Sequence, residues 1–172
     1  MERYRYATMD DLSDILAMLA DPRVGTWLYF VPAPEEALRA YMEPLIVRQA
    51  EEIAELGEPR SAIFVVESED GTFLGEAAVL QVDHSPDGYE IGFQLRPEAW
   101  GRGVGTRVGR YLADWAIDRG AYRLEANCLE GNVASRRILE GLGLRVEGRR
   151  PGYRHKDGVR HTELLLGCVV GE

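Results

Sequence analysis

The sequence predicts an α/β fold, in which one mixed β-sheet carries helices on its faces. Three observations point there. Apolar residues recur at helical spacing before residue 57 and again after residues 103 and 132. Between residues 61 and 95 the pattern becomes that of strands, interrupted by Glu69-Asp70-Gly71 and by the polar, turn-rich stretch 84–88. The resulting order is strand, helices, three strands, helix, strand, helix, two strands, which suits a layered domain.

Each element has a local reason. Arg3 to Ala7 alternates as a short opening strand. Thr8 or Asp10 is placed to cap a helix whose Leu12, Ile15, Leu16 and Leu19 form one apolar face, and Asp21-Pro22 breaks it. Residues 24–31, with Trp27, Tyr29 and Phe30, show no clear period. After Pro34, Leu38, Met42, Leu45, Ile46, Ile53 and Leu56 share a helical face that stops at Gly57. Pro44 falls inside this pattern and predicts a kink or two short helices. Ser61–Glu67 and Thr72–Val82 read as a hairpin, and Tyr89–Leu95 as a third strand ended by Pro97 and the glycines after it.

Helical spacing returns in Val104, Val108, Tyr111, Leu112 and Trp115 and closes near Gly120. Arg123–Cys128 is a strand, and a short helix from Asn132 to Leu142 stops at Gly143. Two final strands, Leu144–Arg150 and Arg160–Val169, flank a Lys156-Asp157-Gly158 turn. Neither a repeat nor a linker is visible, so residues 1–172 are expected to form a single domain.

A chain of 172 residues can bury a substantial core, and 45% hydrophobic with 28% charged residues is ordinary for a soluble protein. Apolar runs fall short of the roughly 20 residues that span a bilayer, and Met1-Glu2-Arg3-Tyr4-Arg5-Tyr6 leads into no signal-peptide core. Cys128 and Cys168 read as reduced thiols of a cytoplasmic protein. A net charge of −9 argues against a nucleic-acid partner. It agrees with a cationic substrate such as an amine, although acidity also serves plain solubility. His84, His155 and His161 are too scattered to form a metal site.

The strongest local signal runs from Leu95-Arg96-Pro97-Glu98-Ala99-Trp100 into Gly101-Arg102-Gly103-Val104-Gly105-Thr106. A strand ends, a glycine-dense turn follows and a helix begins. The first helical N–H groups lack internal partners, the helix dipole favours an anion there, and glycines let backbone approach it closely. Arg102 can add a charge-assisted contact at the rim. A dinucleotide fingerprint needs G-x-G-x-x-G, whereas this run is G-x-G-x-G, and the Gly-Lys-Ser/Thr of a Walker loop is missing. A glycine-capped helix that binds nothing is the plainer alternative.

Three blocks in this order resemble the GNAT acetyltransferases, particularly the ribosomal-protein N-terminal acetyltransferase branch. They are Tyr89-Glu90-Ile91-Gly92-Phe93-Gln94-Leu95, then Trp100 to Thr106, then Asn132-Val133-Ala134-Ser135 through Leu139-Glu140-Gly141-Leu142-Gly143-Leu144. The resemblance implies a mostly antiparallel sheet of about seven strands with about four helices. A V-shaped split between the fourth and fifth strands would hold acetyl-CoA as co-substrate, with no metal.

Pantetheine would pair with backbone near Gln94, Leu95 and Arg96, and the pyrophosphate would lie on Gly101, Arg102, Gly103, Val104, Gly105 and Thr106. Asn132 and Ser135, one helical turn apart, would face pantetheine and thioester, although Asn132 is equally a natural N-cap and Ser135 a tolerated surface residue. Backbone N–H groups near Phe93 to Leu95 would polarise the thioester carbonyl.

The chemistry implied is transfer of acetyl to a primary amine, on a small molecule or a protein N-terminus, without nucleic acid or membrane; a homodimer is compatible. Glu90 is the candidate base, because alternation puts it with Gly92 and Gln94 beside the expected split; a solvated strand carboxylate is its plainer role. Asn127 could order a water. Trp27, Tyr29 and Phe30 lie where relatives form the acceptor pocket, or serve as core. Two departures stand out: Trp100 where many relatives have Gln or Arg, and Leu139 where many carry a tyrosine acid. Ser135, or a water it orders, is the expected substitute acid, with Tyr153 second. Cys128 groups with Leu124 and Ala126 and reads as core rather than as a nucleophile. A non-catalytic acyl-CoA sensor on the same fold, or a nucleotide-binding domain of another fold, are the competing readings.

Overall fold

The computed structural model describes residues 2–28, 34–83 and 85–171. Its strands are β1 (Arg3–Tyr6), β2 (Ala62–Glu67), β3 (Phe73–Val82), β4 (Ser85–Leu95), β5 (Arg123–Leu129), β6 (Arg145–Lys156) and β7 (Val159–Val169). The helices are α1 (Leu12–Leu19), the single turn α2 (Pro22–Gly25), α3 (Glu35–Leu56), α4 (Val104–Ile117) and α5 (Val133–Gly141). Short 3₁₀ turns at Met9–Asp11 and Pro97–Ala99 lead into α1 and the glycine loop.

All seven strands form one sheet in the order β1-β2-β3-β4-β5-β7-β6, antiparallel except for the β4–β5 pair. That parallel contact is brief. It covers Gly88↔Arg123, Tyr89↔Leu124 and Glu90↔Glu125, after which β4 continues beside β3 and β5 beside β7. The strands therefore part beyond Glu90, which is the expected split.

Both faces of the sheet are covered. Strand β2, Ala-Ile-Phe-Val-Val, is buried residue after residue because it feeds two cores. Ala62, Phe64 and Val66 face a cluster with Val108, Leu112 and Trp115 of α4 and Leu139 of α5. Ile63 and Val65 face Leu12, Ile15 and Met18 of α1 and Met42 and Ile46 of α3. Buried Gln49 of α3 acts as one more rung of the ladder: its amide donates to Ala7 O (3.2 Å) and accepts from Ile63 N–H (2.7 Å).

Three expectations about element ends are corrected. The proline-containing helix is one element of 22 residues rather than two short helices. Pro44 and Ala40 both lie on its exposed side, so water can satisfy the carbonyl that the ring leaves unpaired. Strand β4 begins at Ser85, before Tyr89, because the tight connection from β3 pairs Ser85 with Val82 at once. Strand β6 extends to Lys156, past Arg150, through the two-residue turn Asp157-Gly158, both at positive φ (52° and 75°).

Candidate active site

The split opens into a cavity of about 420 Å³ that passes between the two sheet faces. On one side stand residues of α4, α5 and the loop before α4; on the other stand Val24, Trp27 and Leu28 of the α2 segment. Among the expected residues, Trp27, Glu90, Gln94, Leu95, Gly101, Gly103, Gly105, Thr106, Asn127, Asn132 and Ser135 all line it. Tyr29 and Phe30 lie outside the described residues. Arg96, Arg102 and Val104 do not line the cavity.

The glycine loop has the geometry expected of an anion cradle. Gly101 and Gly103 adopt φ of 69° and 74°, a left-handed conformation that a side chain would strain. Helix α4 starts immediately afterwards, and Arg107 N–H to Gly103 O (3.2 Å) is its first turn of bonding. The amides before Arg107 thus have no helical carbonyl four residues back. Gly105 has a different reason. A Cβ there would come 2.9 Å from Ile138 of α5, so this glycine lets α4 pack close to its neighbour. Val104 is core, 3% exposed, and can contribute only backbone to the loop. Arg102 is exposed and donates to Glu98 O (3.4 Å).

The edge of β4 refines the expected pantetheine contacts. Arg96 N–H already donates to Leu74 O (2.8 Å), and Arg96 O accepts from Ala99 N–H (2.9 Å). Its guanidinium lies over Phe73 and 3.7 Å from Asp14. By strand alternation, Gln94 and Gly92 direct their amides toward β3 as Arg96 does, leaving those of Phe93 and Leu95 toward the split. Arg96 and the backbone of Gln94 are therefore taken by the sheet. Leu95 O is taken too, by the Trp100 indole N–H at 2.9 Å, so Trp100 ties the loop to the strand end.

Glu90 lies on the α1–α3 face of the sheet, with Gly92 and Gln94. Asn127 Nδ2 donates to Glu90 Oε1 across the split at 3.5 Å. Burial pushes the Glu90 carboxyl above the usual carboxylate range, helped by the charges of Glu125 and Glu163 and opposed by Arg154 and the Asn127 bond. Glu163 is fully buried in this polar group and is held by Arg154 (Nε to Oε1, 2.8 Å) and Arg150 (3.2 Å). Sequence reasoning missed Glu76. It sits opposite Gln94 on β3, and desolvation raises its carboxyl to about 7. Nearby Tyr41 of α3 has its phenol raised by burial first, then by Glu76 and Glu90.

At α5, Asn132 is the N-cap: its Oδ1 accepts from Ser135 N–H at 3.1 Å. Asn132 and Ser135 both line the cavity at this helix start. Leu139, in place of a tyrosine, is a buried part of the cavity wall. Tyr153 is 54% exposed, stacks with Arg150 and Arg154, and lies away from the cavity. Burial drives the Cys128 thiol up to about 11, which disfavours the thiolate a nucleophile needs. Arg137, at the rim on α5, escaped the sequence reading because nothing in its neighbours distinguishes it from a solvated charge.

The wall opposite is held by a residue far away in sequence. Lys156, at the end of β6 and 5% exposed, donates to the carbonyls of Gly25 (2.6 Å), Thr26 (2.9 Å) and Leu28 (3.0 Å). Its three N–H bonds all go to the segment that carries Val24, Trp27 and Leu28. Among the described residues no helix is long and apolar enough to cross a membrane, and no group of His, Cys, Asp and Glu is placed to hold a metal.

A split sheet with a glycine-lined helix start on one side and a carboxylate on the other defines a class, and the chain belongs to it: residues 3–145 match the family model described as "Acetyltransferase (GNAT) domain". It is 27% identical over 151 residues to YdaF of Bacillus subtilis (strain 168), provisionally named a ribosomal N-acetyltransferase, covering 87% of this chain and 80% of that protein. Solved structures with the same fold include the ribosomal-protein-alanine N-acetyltransferase of Brucella melitensis, with a TM-score of 0.75 and 21% identity over 98% of this chain and 99% of that one. Another is yncA from Salmonella typhimurium, described with its cofactor acetyl-CoA, with a TM-score of 0.77 and 20% identity over 100% and 95% of the two chains. At such identities these structures speak for the fold alone.

Proposed function

We propose that this protein moves an acetyl group from acetyl-CoA to a primary amine by direct attack in a ternary complex. The observation that carries the reading is the cavity itself, which joins the free α4 amides on one sheet face to the Glu90 carboxylate on the other. CoA pyrophosphate would sit on the amides of residues 101–106. Pantetheine would run along β4, using the split-facing backbone of Phe93 and Leu95 as a peptide strand would. The acetyl thioester then meets the amine near Glu90 and Asn127.

An amine reaches the site protonated, since an α-amino group has a pKa of about 8 and a lysine-like amine about 10.4. Glu90 takes a proton, directly or through a water held by Asn127, and its elevated carboxyl pKa brings it nearer to that of the amine. The nitrogen attacks the thioester carbon, a C–N bond forms and the C–S bond breaks. Developing negative charge on oxygen is met by split-facing N–H groups of β4. As the amide forms, the nitrogen sheds its second proton. That proton reaches the leaving thiolate through Ser135 or a water at the start of α5, the relay giving up one proton as it gains the other, because Leu139 has none to give. The names of relatives that act on ribosomal proteins support a protein N-terminus as acceptor, and the acidic face around Glu90 and Glu76 supports a cationic one.

Free-thiol release from acetyl-CoA across a panel of primary amines, including a peptide with a free N-terminus, tests the proposal. Amine-dependent release supports it. Binding of acetyl-CoA without release on any amine would return the protein to a sensor role.

A further inference from the structure

Among the described residues, neither backbone conformation nor packing requires Gly92 to be a glycine. Gly101 and Gly103 need their left-handed φ, and Gly105 and Gly109 need to be small because Ile138 and Leu142 crowd them. Gly75 would drive a Cβ into the backbone of Gln94. Gly92 has no positive φ, and a Cβ built there would meet no heavy atom of the described residues within 4 Å. Yet it lies in the middle of β4, where glycine weakens a strand and side chains are expected to pack. It is exposed and lines the cavity on the same face as Glu90 and Gln94. Of the described glycines that neither φ nor packing explains, Gly92 alone lies in a strand.

We infer that Gly92 is a specificity-determining residue that leaves room beside Glu90 for a substituted amine-bearing carbon, so that the site takes α-branched amines such as the N-terminus of a peptide. This rests on the amine acetyltransferase reading above. The argument is steric. With its nitrogen at Glu90 and its carbon turned toward the next position on that face, the amine lays the substituents of that carbon over Gly92. An unbranched amine can turn its single chain away and leave only hydrogens there. A peptide N-terminus puts a side chain and a carbonyl there, and the missing Cβ of Gly92 supplies the space. Trp27, Leu28 and Val24 line the same cavity with apolar surface, which suits the substituent rather than the ammonium.

The test compares Gly92→Ala and Gly92→Val with wild type on two acceptors, L-alaninamide and n-propylamine, by kcat/KM for thiol release. Acetyl-CoA binding and thermal stability are followed by thermal shift. Valine suits a strand, and a Cβ at this position meets no described atom within 4 Å, so both variants should fold; thermal shift with acetyl-CoA separates any loss of cofactor binding from a loss of acceptor turnover. The expected result is a loss on L-alaninamide that exceeds the loss on n-propylamine by about 10- to 100-fold in Gly92→Val and by less in Gly92→Ala. Equal losses on the two acceptors, or none on either, would overturn the assignment while leaving the acetyltransferase reading intact. If wild type releases thiol with neither acceptor nor any other amine, the underlying reading fails and this inference goes with it.

Discussion

The two ends of the cavity are built on different principles. Where α4 begins, the cavity is lined by backbone: amides at a helix start, Gly101 and Gly103 whose φ is set locally, and one indole bond from Trp100 that ties the loop to β4, with only the packing of Gly105 against Ile138 reaching further along the chain. At the Glu90 end, where the acceptor is proposed to enter, it is side chains: Glu90 and Asn127 facing each other across the split, Glu76 on the neighbouring strand, and a wall of Val24, Trp27 and Leu28 held by Lys156. The first kind of site depends on neighbours within about a dozen residues. The second depends on segments brought together from opposite ends of the chain. Variation in acceptor is therefore expected to leave the nucleotide end unchanged, since the two ends share little but β4.

Four substitutions probe this division, the strongest first. Glu90→Gln keeps shape and removes basicity, so kcat should fall by about 10²–10⁴-fold with acetyl-CoA affinity retained. The wild-type rate should rise with pH through a Glu90 ionisation above the ordinary carboxylate range, and that limb should vanish in the variant. A loss below threefold would assign proton removal to solvent instead.

Gly103→Val strikes the other end. A side chain at φ 74° is strained, and its Cβ would lie 2.9 Å from Arg107 Nη1. Acetyl-CoA affinity should fall by about 10- to 100-fold as the cradle opens, a range that strain of about 1–2 kcal/mol accounts for in part. Unchanged affinity in calorimetry would remove the loop from the site.

Lys156→Met separates the ends more gently. Removing the ammonium takes a donor from three carbonyls, of which Gly25 O keeps Leu28 N–H (3.3 Å), and loosens the wall of Val24, Trp27 and Leu28, so acceptor KM should rise by about five- to tenfold. Acetyl-CoA affinity should stay within twofold. A matched loss at both ends would show that the wall and the cradle are one mechanical unit.

The smallest effect concerns stability. Glu76 holds its proton more tightly when folded, at about 7 against an ordinary 4.5, so unfolding releases that proton in this window. Its contribution is thus least unfavourable below about pH 4.5 and costs stability as pH rises through 7. Glu76→Gln should gain about 1 kcal/mol at pH 8 in denaturant unfolding, less than the full shift implies because the side chain keeps some solvent contact. The gain should disappear near pH 4. Equal stability of the two proteins at pH 8 would mean that water already reaches the carboxylate.

Much of this molecule was determined by local sequence. The apolar periods of α1, α4 and α5, the glycine loop and the Asn132 cap follow from residues within a turn or two of one another, where φ preference and unpaired amides act at short range. Glu90, Gly92 and Gln94 share a face because strand alternation is equally local. Tertiary structure decided the rest. Which β4 amides face the split depends on register with β3, and that register commits Arg96 to Leu74 and frees Phe93 and Leu95. The elevated carboxyl of Glu76 depends on partial desolvation by neighbours it meets only after folding. Lys156 reads as one more surface lysine until the hairpin carries it 128 to 131 residues back along the chain, to carbonyls that have no other charge to meet them. Helix ends and strand faces are set by short-range sterics and hydrogen bonding; desolvation and long-range partners exist only once the chain has closed on itself.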